Sequence, residues 1–242
     1  MKITPLILTK KNLIEAYNNR SILYPLLTPS VIVCVAYYIL GTSDIFNNNF
    51  GIILGLAFVF GSFNDAIILA QEREKGTLAK LILSPISRWS ITGGRILSSL
   101  LFSILSTTLV LTLGILIKLP LGFDVYLIAL FYLTSSLMTL LTVSMGLLCS
   151  SICSSLRSTI LLTSSLLIIF VILPSFIQNE PLIISPYNPF GNGYQVFNWI
   201  LQEEDFVMIM KNDPIQQLIV QMSVVIIFLF TAANIAFRSK IR

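Results

Sequence analysis

FGIILGLAFVFGSFNDAIILAQEREKGTLAKLILSPISRWSITGGR, residues 50–95, changes character halfway along. Residues 50–70 carry one charged side chain, Asp65. A helix rises 1.5 Å per residue, so about 20 mostly apolar residues cross a hydrocarbon layer about 30 Å thick. Residues 71–95 then carry five of the chain's fifteen basic residues, together with Glu72 and Glu74. The stretch reads as a membrane span followed by a polar connection, and a new apolar run starts immediately after it.

The rest of the chain repeats the apolar part of that pattern. Its 242 residues are 55% hydrophobic and 11% charged, with a mean hydropathy of +0.89. A soluble domain carries roughly 25% charged residues, so this chain has too few to cover a water-exposed surface. Runs long enough to span occur at about 21–40, 50–70, 96–117, 125–150, 159–177 and 215–237. The expected fold is all-α and integral to the membrane, with residues 1–242 as one six-span permease domain.

Orientation follows from where Lys and Arg lie. Thirteen of the fifteen fall in the N-terminal segment, the connections 71–95 and 151–158, and the C-terminal segment. Lys118 and Lys211 are the other two. An even number of spans with both termini cytoplasmic gives this split. The chain is expected in the cell membrane. Residues 3–8 are too short for a signal-peptide core, so the first span is expected to direct insertion.

Leu6, Lys10, Leu13, Ile14 and Tyr17 recur at helical spacing. They predict an amphipathic helix at the cytoplasmic interface, with Thr9 as a candidate N-cap. A disordered tail is the alternative. Pro25 and Pro29 then offer a bend where the chain turns to cross the bilayer.

Residues without chemistry also limit the function. There are no histidines, which excludes His-based acid–base catalysis, His-containing triads and His-ligated metals. Cys34, Cys149 and Cys153 read as small helix fillers, the last two sharing a helix face. No metal site, catalytic residue or cofactor of the chain's own is expected.

Within the cytoplasmic connection, Glu72 to Lys75 continue the second helix out of the membrane. Leu78, Leu81 and Ile82 predict a short amphipathic helix over 77–83, which Ser84-Pro85 ends. Trp89 suits an interface, and Gly93-Gly94 permit close packing or a turn. A simple basic loop explains the five cations but not the paired glutamates or the proline-closed helix. A docking surface for a cytoplasmic partner explains both.

EREKGTLAKLILSPISRW resembles the E-R-E-x-G-T-x-x-x-L-x-x-[ST]-P-[IL]-[ST]-R segment of type-2 ABC transporter permeases. Glu72, Arg73, Glu74, Gly76, Thr77, Leu81, Ser84, Pro85, Ile86, Ser87 and Arg88 occupy matching positions. The resemblance implies that this segment, with Leu78, is the coupling helix that touches an ATP-binding subunit. It also implies an N-terminal connecting helix, a second permease copy as homodimer or heterodimer, and two ATP-binding cassette subunits working in export. No G-x-x-x-x-G-K-[ST] phosphate loop occurs in the sequence, so ATP and Mg would be bound by the partner. A stand-alone secondary transporter half and a membrane enzyme are the alternatives. The missing internal repeat and the missing nucleophile–base pair speak against them.

Two further groups stand out. Asn64 and Asp65 lie within the second span, where a carboxylate is costly and must face protein or water. Asp65 shares a helix face with Glu72. It reads either as a pathway or switch residue, or as a carboxylate paired with Arg95 or another inner cation. The Ser and Thr of spans three to five read as packing groups or as a polar path. The connection 178–214 is apolar yet rich in proline and glycine, and net acidic. It predicts an extracellular re-entrant or interfacial helix before the last span. Pro189, Phe190, Tyr194, Phe197 and Trp199 are candidates for an outer gate, a lipid-resting loop being the alternative. NPFGNGYQVF resembles the N-P-x-x-x-x-Y-type segment of the same family.

Overall fold

The computed structural model describes residues 5–18, 23–40, 44–76, 88–116, 125–172 and 188–201, with 223–225, 227, 228 and 231 in the last apolar run. Its helices are α1 (Pro5–Asn18), α2 (Leu23–Leu40), α3 (Asp44–Glu74), α4 (Arg88–Leu116), α5 (Val125–Ile152), α6 (Leu156–Leu167) and α7 (Pro189–Leu201). A π-helical turn, Ile168–Ile172, extends α6. There is no strand among the described residues.

Three of these helices carry apolar stretches long enough to cross a membrane: Gly51–Glu74, Ser90–Leu116 and Val125–Ile152. They are the second, third and fourth predicted spans. The first predicted span is α2, of 18 residues. The fifth is α6 with its π turn, and it begins three residues earlier than the hydropathy suggests. Most of the sixth lies outside the described residues, as do 77–87, which hold the predicted coupling helix.

α3 organises the bundle. Its 31 residues rise about 46 Å, more than the roughly 30 Å hydrocarbon layer, so a straight α3 cannot lie wholly within it. Small residues let its neighbours close in. A Cβ on Gly61 would stand 2.9 Å from the Pro29 ring of α2, and one on Gly146 of α5 would stand 2.2 Å from the Ala66 Cβ. Such small-residue contacts are how helices approach where water supplies no driving force between them. α3 and α5 run parallel, since Phe58 meets Phe131 at one level and Arg73 meets Ser150 at another.

α4 runs antiparallel to α5, and hydroxyls join them. Thr139 donates to Ser103 at 3.2 Å, Thr107 and Ser135 pair at 2.7 Å, and Thr108 and Tyr132 pair at 2.9 Å. Most of the same hydroxyls also bond back to carbonyls of their own helices. The Ser and Thr of these spans therefore serve helix packing.

Three local expectations change. α1 begins at Pro5, so Thr9 lies inside the helix rather than at its cap. Its hydroxyl donates to the Gly94 carbonyl of α4 at 3.3 Å. α1 buries Leu8, Thr9 and Asn12 and leaves Leu6, Ile14 and Tyr17 exposed, which is the apolar face predicted for an interface. α4 begins at Arg88, eight residues before the predicted span, so Gly93-Gly94 are helical and form no turn. Cys153 follows the end of α5, where its amide closes the last turn on Cys149 at 2.9 Å.

Candidate functional site

The Glu72-Arg73-Glu74 run occupies the last turn of α3, and each of its charges reaches a different helix. Glu72 pairs with Arg95 of α4, both side chains being about nine-tenths buried. Arg73 donates to the carbonyl of Ser150 at 2.6 Å and to that of Cys153. These are acceptors at the end of α5, which the helix itself leaves without donors and where a cation is favoured. Glu74 accepts from the Leu156 amide, the first of α6, at 2.8 Å.

Local sequence explains the geometry. Consecutive helical residues point about 100° apart, so three charges in a row aim at three neighbours. The turn between α5 and α6 is short because Ser155 caps α6. Its hydroxyl accepts from the Ser158 amide at 3.2 Å, and Ser158 returns the bond to the Ser155 amide. That capping box leaves the first amide of α6 for Glu74. Gly76 closes α3 with φ +70°, a conformation that only glycine adopts without steric cost.

Asp65 lies two turns back on the face it shares with Glu72. It is not ion-paired with Arg95, which Glu72 holds. Asp65 accepts a hydrogen bond from Ser99 at 3.2 Å instead. The two contacts, Glu72–Arg95 and Asp65–Ser99, register α3 against α4. Asn64 lies beside them, partly exposed.

The middle of α3 meets α7. Phe58 stacks on Phe197 with centroids 6.0 Å apart, and Phe131 of α5 completes the cluster 5.2 Å from Phe197. Phe190, Tyr194 and Phe197 are buried, and the Tyr194 ring lies where a Cβ on Gly55 would be. α7 packs into the bundle against α3 and α5. The side chains of Pro189 and Trp199 lie outside the described residues.

Asn188 holds the start of α7. Its side-chain carbonyl accepts from the Phe190 amide at 3.1 Å, and its amide donates to the Phe170 carbonyl in the π turn at 2.9 Å. Sequence reasoning passed over Asn188, although Asn followed by Pro is a helix-start signature. It also passed over Arg95 as the partner of Glu72, and Gly55 and Gly146 as contact points. Of the predicted coupling residues, the structure brings together Glu72, Arg73, Glu74 and Gly76. Thr77, Leu78, Leu81, Ser84 and Pro85 lie outside the described residues, and so does the side chain of Arg88.

A family model described as ABC-2 type transporter matches residues 6–202 of this chain. Similar curated proteins include two named "Probable multidrug ABC transporter permease YbhR", from Escherichia coli strain K12 and Escherichia coli O157:H7. Each is 37% identical over 91 residues, which are 37% of this chain and 24% of the relative. The matched stretch thus spans about a quarter of those relatives' length.

Proposed function

This chain belongs to the ABC-2 type transporter family, and we propose that it lines the translocation pathway of an ATP-driven exporter. It works with a second permease copy and two separate ATP-binding subunits. ATP and Mg are bound by those subunits, whose hydrolysis drives the cycle, and the chain contributes no cofactor. Residues 1–242 form one permease domain of six spans in the cell membrane, with both termini cytoplasmic and α7 at the extracellular side. The placement of thirteen of fifteen Lys and Arg supports this orientation.

The observation that carries the reading is the clamp at the end of α3. Residues 77–88, from Thr77 through Leu78, Leu81, Ser84 and Pro85 to Arg88, dock on the ATP-binding subunit. A push received there enters α3 and α4, which flank the segment. Glu72, Arg73 and Glu74 pass it to α4, α5 and α6 at once, so the helices move as a group. α3 carries the displacement from Glu72 past Asn64 and Asp65 to Phe58, about 21 Å along its axis. There it acts on Phe190, Tyr194 and Phe197, which with Pro189 and Trp199 form the outer gate. ATP closure shifts this equilibrium only through contacts that differ between the two states.

Affinity purification of the full chain from its native membrane tests the reading. A co-purifying chain with a phosphate-binding loop, cross-linked to single cysteines at Leu78 or Leu81, is the expected result. Purification with no nucleotide-binding partner would count against it. The similarity to probable multidrug permeases makes drugs the first panel for stimulated ATP hydrolysis.

A further inference from the structure

Between α2, α3, α4 and α5 lies a small cavity with room for about one water-sized body. Pro29, Phe58 and Phe102 supply its apolar wall. Its polar wall is made of oxygen. Asp65 brings a carboxylate, and Ser99, Ser103, Ser106 and Thr139 bring hydroxyls. Pro25 adds a backbone carbonyl. Proline has no N–H, so Pro29 cannot give that carbonyl its normal helical donor. The Pro25 oxygen lies 3.5 Å from where a Cβ on Gly61 would stand, and so faces α3.

Two of these groups call for an occupant. The Ser106 hydroxyl is 1% exposed and has no hydrogen-bond partner. A buried hydroxyl left so is destabilising, because it has given up its water without a replacement. Asp65 is a carboxylate inside a membrane-spanning helix, and its hydrogen bond comes from a neutral hydroxyl, Ser99. Arg95 is committed to Glu72 and acts on Asp65 only as a more distant charge. A proton on Asp65 would cancel the charge but leave Ser106 and the Pro25 carbonyl as they are. A water would serve those two but leave the charge. A small cation answers all three.

We propose that this cavity binds one monovalent cation of sodium size, with the Asp65 carboxylate as its charge partner and the Pro25 carbonyl and Ser106 hydroxyl among its ligands. Hard cations take oxygen ligands, and proline-interrupted helices in membranes offer backbone carbonyls to sodium in this way. One carboxylate balances a single positive charge. Among the described residues no group of three or more His, Cys, Asp or Glu side chains is placed to hold a metal, which disfavours a divalent ion. The bound cation braces α2 against α3 and α4.

Thermal unfolding of the full chain in lipid nanodiscs tests this, at fixed ionic strength in sodium, potassium or choline chloride. Sodium should raise the wild-type midpoint above choline, in a saturable manner. Asp65→Asn should unfold at one temperature in all three salts. Ser106→Ala should be at least as stable as wild type in choline, because it removes a buried hydroxyl that has no partner there. Its half-maximal sodium concentration should rise by about tenfold, as expected for one lost contact to a charged group. Equal wild-type midpoints in sodium and choline would overturn the proposal. So would an Asp65→Asn variant that keeps the sodium response. If Asp65→Asn does not fold, the sodium titrations of wild type and Ser106→Ala decide.

Discussion

Glu72 of α3 is ion-paired with Arg95 of α4 across 23 residues of sequence, and both side chains are about nine-tenths buried. A buried pair is weak evidence of net stability, but breaking one strands the remaining charge. Arg95→Ala should therefore destabilise the chain by about 3–5 kcal/mol. Arg95→Met with Glu72→Gln should recover part of that loss. Denaturant titration in micelles, followed by tryptophan fluorescence, checks both variants.

Arg73 bridges two carbonyls at the end of α5 with two arms of one guanidinium. A lysine keeps the charge but not the fork. Arg73→Lys should cost about 1.5–3 kcal/mol, the range for a hydrogen bond to a charged group. With the end of α5 less firmly tied to α3, the same variant should hydrolyse ATP in the assembled transporter while moving less cargo. The ratio of transport to hydrolysis in proteoliposomes reads this out, and an unchanged ratio would argue against the clamp as a transmission element.

Tyr194 and Gly55 make a paired test where α7 crosses the body of α3. Any Cβ on Gly55 would stand 2.0 Å from the Tyr194 ring. Gly55→Ala should push α7 away and cost about 1–3 kcal/mol through overpacking. The Tyr194 hydroxyl is buried without a hydrogen-bond partner. Tyr194→Phe should thus be neutral or slightly stabilising. The melting temperature of Gly55→Ala should fall while that of Tyr194→Phe holds or rises, and α7 of Gly55→Ala should become more accessible to proteolysis.

Asn188 makes two bonds through the two ends of one amide. Asn188→Asp keeps the acceptor for Phe190 but replaces the donor to Phe170 with a second oxygen. Asn188→Ala loses both, and the cap alone contributes about 0.5–2 kcal/mol. Both variants should loosen the junction of the π turn and α7, seen as faster hydrogen exchange at Phe190. Exchange in Asn188→Asp that matches wild type would show that the bond to Phe170 does not matter.

The helices were legible because a helix in a membrane is a local property. Length and hydropathy decide it, and 125–150 differs from Val125–Ile152 by only two residues at one end. The α4 start lies before the predicted span because Arg88 and Arg95 are charged and Ser90, Thr92, Gly93 and Gly94 lower the hydropathy between them. Hydropathy marks where the bilayer begins, and the α4 helix extends beyond that point. α7 was half legible. Its helix is expected from the sequence, but an outer gate and a lipid-resting loop both fit its aromatic face, since an apolar face suits lipid and protein core equally well.

By itself the sequence determined the membrane class, the approximate position of the second, third and fourth spans, the family through its Glu-Arg-Glu-to-Pro segment, and the shared face of Asp65 and Glu72. Only the tertiary structure decided what those charges touch. Arg95 went to Glu72 and not to Asp65, Arg73 to carbonyls 77 and 80 residues away, and Glu74 to an amide 82 residues away. Periodicity fixes the direction a side chain leaves its helix, because that depends on 3.6 residues per turn. Which helix lies in that direction depends on the contacts of Gly61 with Pro29 and of Gly146 with Ala66. Close packing between segments far apart in the chain sets those contacts, and no local pattern encodes them.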